Sequence, residues 1–139
     1  MDYRRFGDTI FLRLDKGEEV LEQLKAVALK EKVTLGDVSA LGATDDFTVG
    51  VFCPEEKAYH PTTFHGFHEI TSIIGTINTM NGEFYTHLHM NAASEGGKTV
   101  GGHLSRAVIG LTCEMVIHVA HGTVDREHNE DLGFNMMKF

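Results

Sequence analysis

The chain has little cysteine, little basic charge and no long apolar run, and each shortage excludes something. Cys53 and Cys113 are its only cysteines, and they form no CxxC motif. A disulfide framework and a cysteine-based zinc site are therefore excluded. Cys113 lies in an apolar run and reads as a small buried hydrophobe. Met1-Asp2-Tyr3-Arg4-Arg5 leads into a strand-like pattern instead of a signal peptide. With two isolated thiols, that predicts a reducing, cytoplasmic setting. The 12 Lys and Arg residues against 20 Asp and Glu residues leave a net charge of -8. Such a chain repels phosphate backbones, which argues against direct nucleic-acid binding. No stretch reaches the roughly 18 consecutive apolar residues of a membrane-spanning helix. Serine nucleophile elbows, phosphate-binding loops and dinucleotide fingerprints are all missing. Gly36, Gly42 and Gly50 read as turn and strand-packing positions. No linker, repeat or low-complexity tract divides the 139 residues, so residues 1–139 read as a single domain. A chain of this size buries about two-thirds of its unfolded surface and needs no covalent staples.

What is present is mostly strand pattern. Phe6 to Leu14 reads as one strand. Asp15 and Glu18 have capping-box spacing, and Val20, Leu21, Leu24, Val27 and Ala28 then recur at helical spacing. These predict a helix over Lys16 to Glu31. Asp37 to Gly42 and Asp46 to Cys53 read as two short strands around a turn at Ala43 to Asp45, and Pro54 to Lys57 as a further turn. Glu69 to Ile77 and Phe84 to Ala92 read as strands joined by the hairpin signal Asn81-Gly82. After a turn at Glu95 to Lys98, Val108 to Ala120 reads as a strand with Ile109, Leu111, Cys113, Met115, Ile117 and Val119 on one face. The tail from Asp125 is polar until Phe134 and ends in Met136, Met137 and Phe139, which suggests docking, with another subunit as one candidate surface. The pattern predicts an α+β fold, mostly antiparallel β-sheet with few helices.

Chemistry concentrates in Thr86-His87-Leu88-His89-Met90 and Gly101-Gly102-His103-Leu104. Strand alternation puts His87 and His89 on one face and Leu88 on the other. The glycines let the backbone bring His103 close to a neighbouring strand. Three imidazoles meeting at one point leave an open coordination position on a divalent ion, zinc foremost, for water or a small anionic ligand. The competing reading is a polar strand face covered by a neighbouring subunit, its histidines bonded to one another or to backbone. Glu69, Tyr85, Arg106 and Glu114 are candidate supporting groups. Glu69 is the preferred catalytic residue among them, as a general base or ligand-orienting carboxylate. His118 reads as a hydrogen-bonded structural histidine, and His60, His65, His68, His121 and His128 as solvated.

Leu12 to Glu19 ahead of a helix, Glu69-Ile70 with Gly75, His87-Leu88-His89-Met90, Gly101-Gly102-His103-Leu104 and Glu114-Met115-Val116 together resemble the plants and prokaryotes conserved (PPC) domain, over about residues 4 to 122. The resemblance implies a homotrimer and a fold similar to that of acetolactate decarboxylase. It also implies a metal on His87, His89 and His103, and prokaryotic relatives designated as predicted DNA-binding proteins. No AT-hook is present, and the arginine of the plant-type Gly-Arg-Phe-Glu-Ile block is missing from Gly66-Phe67-His68-Glu69-Ile70. Three functions follow as expectations. The first is a homotrimeric zinc-binding protein, the second a zinc-dependent lyase or hydrolase acting on a small anionic substrate, and the third a trimeric regulatory scaffold acting through partner proteins.

Overall fold

A computed structural model describes the whole chain, Met1–Phe139. Eight strands and one helix follow in the order β1 (Asp2–Phe6), β2 (Thr9–Asp15), α1 (Val20–Lys30), β3 (Gly36–Cys53), β4 (Ala58–Met80), β5 (Glu83–Ala93), β6 (Thr99–Val119), β7 (Asp125–Asn129) and β8 (Phe134–Lys138). The first six strands form one antiparallel sheet in the order β1-β2-β6-β3-β4-β5, while β7 and β8 form a separate hairpin. The start of β6 also pairs with β5, which curls the sheet partly closed. The α+β class with mainly antiparallel strands is as the sequence predicts. The one α-helix is too short and polar to cross a membrane.

The apolar alternation of each strand builds one core. Ile10, Leu12 and Leu14 of β2, Leu88 and Met90 of β5, and Ile109, Cys113, Met115 and Ile117 of β6 are buried in it. Val20, Leu24, Val27 and Ala28 of α1 cover that core. Burying one such aliphatic side chain contributes about 1.5–3 kcal/mol, so this shared interior holds the sheet's register.

Several boundaries differ from expectation for identifiable reasons. The first predicted strand, Phe6 to Leu14, is mostly β2; its first residues are the turn to β1, where Gly7 takes a φ of 59°. The helix starts later than Lys16. Asp15 N–H does donate to Glu18 Oε2 at 2.8 Å, but Gly17 N–H donates to Ile109 O and Glu18 O accepts from Ile109 N–H. Those bonds tie the segment to β6, and Glu19 becomes the cap through its carboxylate on Glu22 N–H at 2.8 Å. The predicted turn at Ala43 to Asp45 is instead a pair of irregularities within the continuous strand β3. There Thr44 Oγ1 donates to Val108 O at 2.6 Å, meeting a backbone acceptor that the disturbed ladder leaves over. The same irregularity shifts the pairing opposite Ile109 to Cys113, so Leu111 leaves the core and is exposed. The early halves of β4 and β6 extend beyond the predicted strands, because apolar alternation there is weak.

Gly75 is where two strands approach too closely for any side chain. A Cβ there would overlap the carbonyl oxygen of His87 and lie 2.8 Å from Leu88 Cα. Gly75→Ala is expected to lower unfolding free energy by about 3 kcal/mol, near the upper end for overpacking, because the obstruction is backbone. Urea denaturation checks this, and a loss below about 0.5 kcal/mol would refute the tight approach.

The two thiols have opposite fates. Cys113 is fully buried, and burial, helped by Glu114, pushes its thiol up to about 12. Cys53 is partly exposed. Ellman's reagent is therefore expected to titrate one thiol per native chain and two after unfolding. Two fast-reacting thiols in the native protein would contradict the burial of Cys113.

Candidate metal centre

His87 and His89 stand on β5 either side of the buried Leu88. The ladder places His89 opposite Ile74 on β4 and opposite His103 on β6. Glycine makes the second pairing possible. A Cβ on Gly101 would lie 2.6 Å from Met90 O, and one on Gly102 would lie 2.5 Å from Gly50 O. With no side chain at either position, the start of β6 lies flat between β5 and β3 and presents His103 to the other two rings.

The ring centroids are 5.2 Å apart for His87 and His89, 5.2 Å for His87 and His103, and 5.7 Å for His89 and His103. One nitrogen of each ring lies within 4.8 Å of the others. Ligand nitrogens around a tetrahedral zinc are about 3.4 Å apart at the usual bond length, so small side-chain rotations bring the three onto one ion.

Two of the ring nitrogens are left free of hydrogen bonds within the chain. His87 Nε2 and His103 Nδ1 are buried and have no hydrogen-bond partner. Buried polar nitrogens are nearly always paired, and an orphan costs about 1–3 kcal/mol. Burial holds the His87 imidazole below its usual range, with the nearby Arg126 charge adding to the effect. It pushes His103 down to about 4. Both rings are thus neutral at pH 7, the form that offers a lone pair to a metal. Neither histidine bonds to another histidine or to backbone. The donor set fits a divalent transition metal with an open position.

A cavity of about 650 Å³ adjoins the cluster. His87 and His103 line it, with Tyr59, Tyr85, Arg126 and Met137 among the other walls. Tyr59 packs its ring 4.5 Å from that of His103. The roof is the β7–β8 hairpin, so Met136 and Met137 of the tail pack over the cavity on their own chain, while Phe139 stays fully exposed. Alternation of Phe134, Met136 and Lys138 after Gly133 was the available signal for this hairpin. Nothing in the local sequence marked Arg126 or Tyr59.

Of the supporting groups expected from sequence, only Tyr85 lines this cavity. Glu69 is exposed and pairs with Ala93, four residues beyond His89 along β5 or about 13 Å at the usual strand rise. Within its own chain it is not placed to exchange protons at the histidines, and the bulge between Ile70 and Ser72 shifts the intervening register. Arg106 is engaged by Asp46 at 2.7 Å. Glu114 lines a separate groove with Tyr3 and Arg13. His118 bonds Asp37 at 3.1 Å, the structural role its strand position suggests. His60 and His121 are exposed beside Glu56 and Asp8, and His128 bonds Asn135.

A family profile described as the Plants and Prokaryotes Conserved (PCC) domain matches residues 1–121. The chain belongs to the PCC domain family. No protein of curated function matches its sequence significantly. Among solved structures, this PCC chain is similar to a candidate DNA-binding protein from Bacteroides thetaiotaomicron VPI-5482, with 28% identity, TM-score 0.96, and 99% of this chain and 96% of that one covered. It shares 22% identity and a TM-score of 0.88 with a metal-containing protein from Archaeoglobus fulgidus, covering 100% and 99% of the two chains. Acetolactate decarboxylase from Bacillus subtilis shares the fold at 16% identity and TM-score 0.60, over 87% of this chain and 57% of that one. That last likeness carries architecture and not chemistry. The roof hairpin, from Asp125 onward, lies beyond the residues matched by the PCC profile.

Proposed function

We propose that this PCC-domain protein holds a zinc ion on His87, His89 and His103 and works as a homotrimer whose metal is open to a small anion. The observation that carries the reading is the pair of buried, unpartnered imidazole nitrogens beside a third histidine. The metal-containing Archaeoglobus relative supports it. When bound, such an ion supplies a Lewis acid and lowers the pKa of a coordinated water to about 7. The chain's own part is to hold three imidazoles on rigid strands and to keep Tyr59 and the roof hairpin around them.

Self-association rests on the outer sheet face. Phe11, Leu41 and Ile74 are each more than half exposed. Register puts Phe11, Val116, Ser39, Ile74 and His89 in one cross-strand row. An apolar band leading up to the exposed His89 is suited to a subunit contact, in keeping with the trimer the family implies. Direct DNA binding does not follow from a chain of net charge -8.

The experiment is elemental analysis of untagged protein together with sedimentation. About one zinc per chain and a mass near three times 15.4 kDa are expected. Protein that is metal-free and unresponsive to added zinc would overturn the metal reading, and a monomer would overturn the assembly. Ile74→Asp is expected to shift the sedimenting species toward the monomer.

A further inference from the structure

Arg126 is the group in the cavity whose charge nothing answers. It is 5% exposed, yet it forms no ion pair. Its Nε and Nη2 donate to Asn78 Oδ1 at 3.3 and 3.2 Å, and its Nη1 donates to Asn135 O at 2.9 Å. These three bonds leave two of the five guanidinium N–H groups without an acceptor. Asp125, the adjacent carboxylate, is turned away to Thr79 Oγ1 at 2.8 Å. No carboxylate lines the cavity.

A buried, unpaired cation is costly, and proteins rarely keep one without a partner. Here the group is also held in place. The guanidinium sits 5.0 Å from the Tyr85 ring centroid, and Asn78, fully buried, grips it from behind. Arginine is thereby presented as a fixed fork and not as a mobile surface charge.

We propose that Arg126 is the anchor for the carboxylate of a small organic acid bound in the cavity lined by His87 and His103. The inference rests on the metal reading for the acid's second point of attachment, but not for the contact with Arg126 itself. A planar carboxylate has two oxygens to accept from the two N–H groups left over, one on each terminal nitrogen. Phosphate sites instead recruit several cations or successive backbone amides, whereas the other walls here are mostly Tyr59, Tyr85, Phe134, Met136 and Met137, with His128 bonded to Asn135. Those rings and thioethers suit a short apolar body on the acid. The volume of about 650 Å³ admits a molecule of metabolite size and excludes a folded partner. Arg126 and the walls Phe134 to Met137 come from the segment beyond residue 121, while Tyr59, Tyr85, the histidines and the Asn78 that holds Arg126 come from the matched domain.

The test uses the full chain, with zinc content measured first, and pyruvate as the probe. Isothermal titration of zinc-loaded protein is expected to show saturable pyruvate binding, with inorganic phosphate binding more weakly. Arg126→Lys keeps the charge and most of the packing but loses the fork, so it is expected to weaken pyruvate at least about 10-fold with zinc per chain unchanged. Arg126→Gln is expected to weaken it further, and melting curves report whether that variant is folded. In cobalt-substituted protein, pyruvate is expected to alter the visible absorption of the wild type at concentrations that leave Arg126→Lys unchanged. Unaltered affinity in folded Arg126→Lys, absence of pyruvate binding by wild type at millimolar concentration, or tighter binding of phosphate would each overturn the proposal. If the protein holds no zinc but pyruvate binding still depends on Arg126, the carboxylate site stands and the metal reading fails. If zinc is bound and pyruvate is not, the metal reading stands and the carboxylate site fails.

Discussion

His103→Ala is expected to lose its zinc on gel filtration, while wild type and His118→Ala keep about one ion per chain. Changing a group that merely orients a ligand costs about 10–100-fold in metal affinity, so removing a ligand itself should cost more than about 100-fold. His118 is the proper control. It is an exposed strand histidine engaged by Asp37 at 3.1 Å, and β3 and β4 lie between it and His87 along their shared row. Stability separates a ligand from a packing residue. His103 buries an unpartnered Nδ1, which is unfavourable in the metal-free fold. Its removal offsets the loss of contact with the Tyr59 ring. Metal-free His103→Ala should therefore unfold within about 1 kcal/mol of the metal-free wild type, the size of one net hydrogen-bond contribution. Urea curves of the two chelated proteins measure this. A large deficit in the metal-free variant, with zinc binding retained, would mean that the ring is structural.

Chelation of the wild type is expected to produce the largest change in thermal stability. A ligand that binds only the native state stabilises it by about 4 kcal/mol at one thousand times its dissociation constant. For a chain of this size that corresponds to a fall on the order of 10 °C in Tm when zinc is stripped. The site's construction explains why the ion should act on the fold and not only on the site. The three histidines lie on β5 and β6, and the β5–β6 pairing is the short contact that closes the sheet. An ion there bridges the two strands. Repulsion has no part in the expected loss, since burial keeps His87 and His103 uncharged at pH 7 in the metal-free protein. Differential scanning calorimetry before and after chelator, with zinc restored in a third run, checks the effect and its reversal. An unchanged Tm would contradict a ligand set spanning two strands.

The histidine set was legible because its signals are local. His87 and His89 share a face through the two-residue period of a strand, and Gly101-Gly102 announces a close approach beside His103. The helix stripe from Val20 to Ala28 and the core face of β6 were legible for the same reason. Glu69 stands near a histidine-rich stretch of sequence, but a strand carries such a residue linearly away from its neighbours. Four residues beyond His89 along β5 it has left the site. Leu111 follows strict alternation in the sequence, but an irregularity on β3 resets the register opposite it.

Residue type and period by themselves determined that this chain makes a mainly antiparallel sheet with three imidazoles available on its strands. They did so because alternation and glycine act on the nearest few residues. Only the tertiary structure decided that a hairpin beyond residue 121 roofs those imidazoles, that Tyr59 and Arg126 stand beside them, and that Glu69 does not. Those outcomes depend on strand order and on pairings between residues far apart in the chain, and long-range packing leaves no periodic trace in the segments it joins.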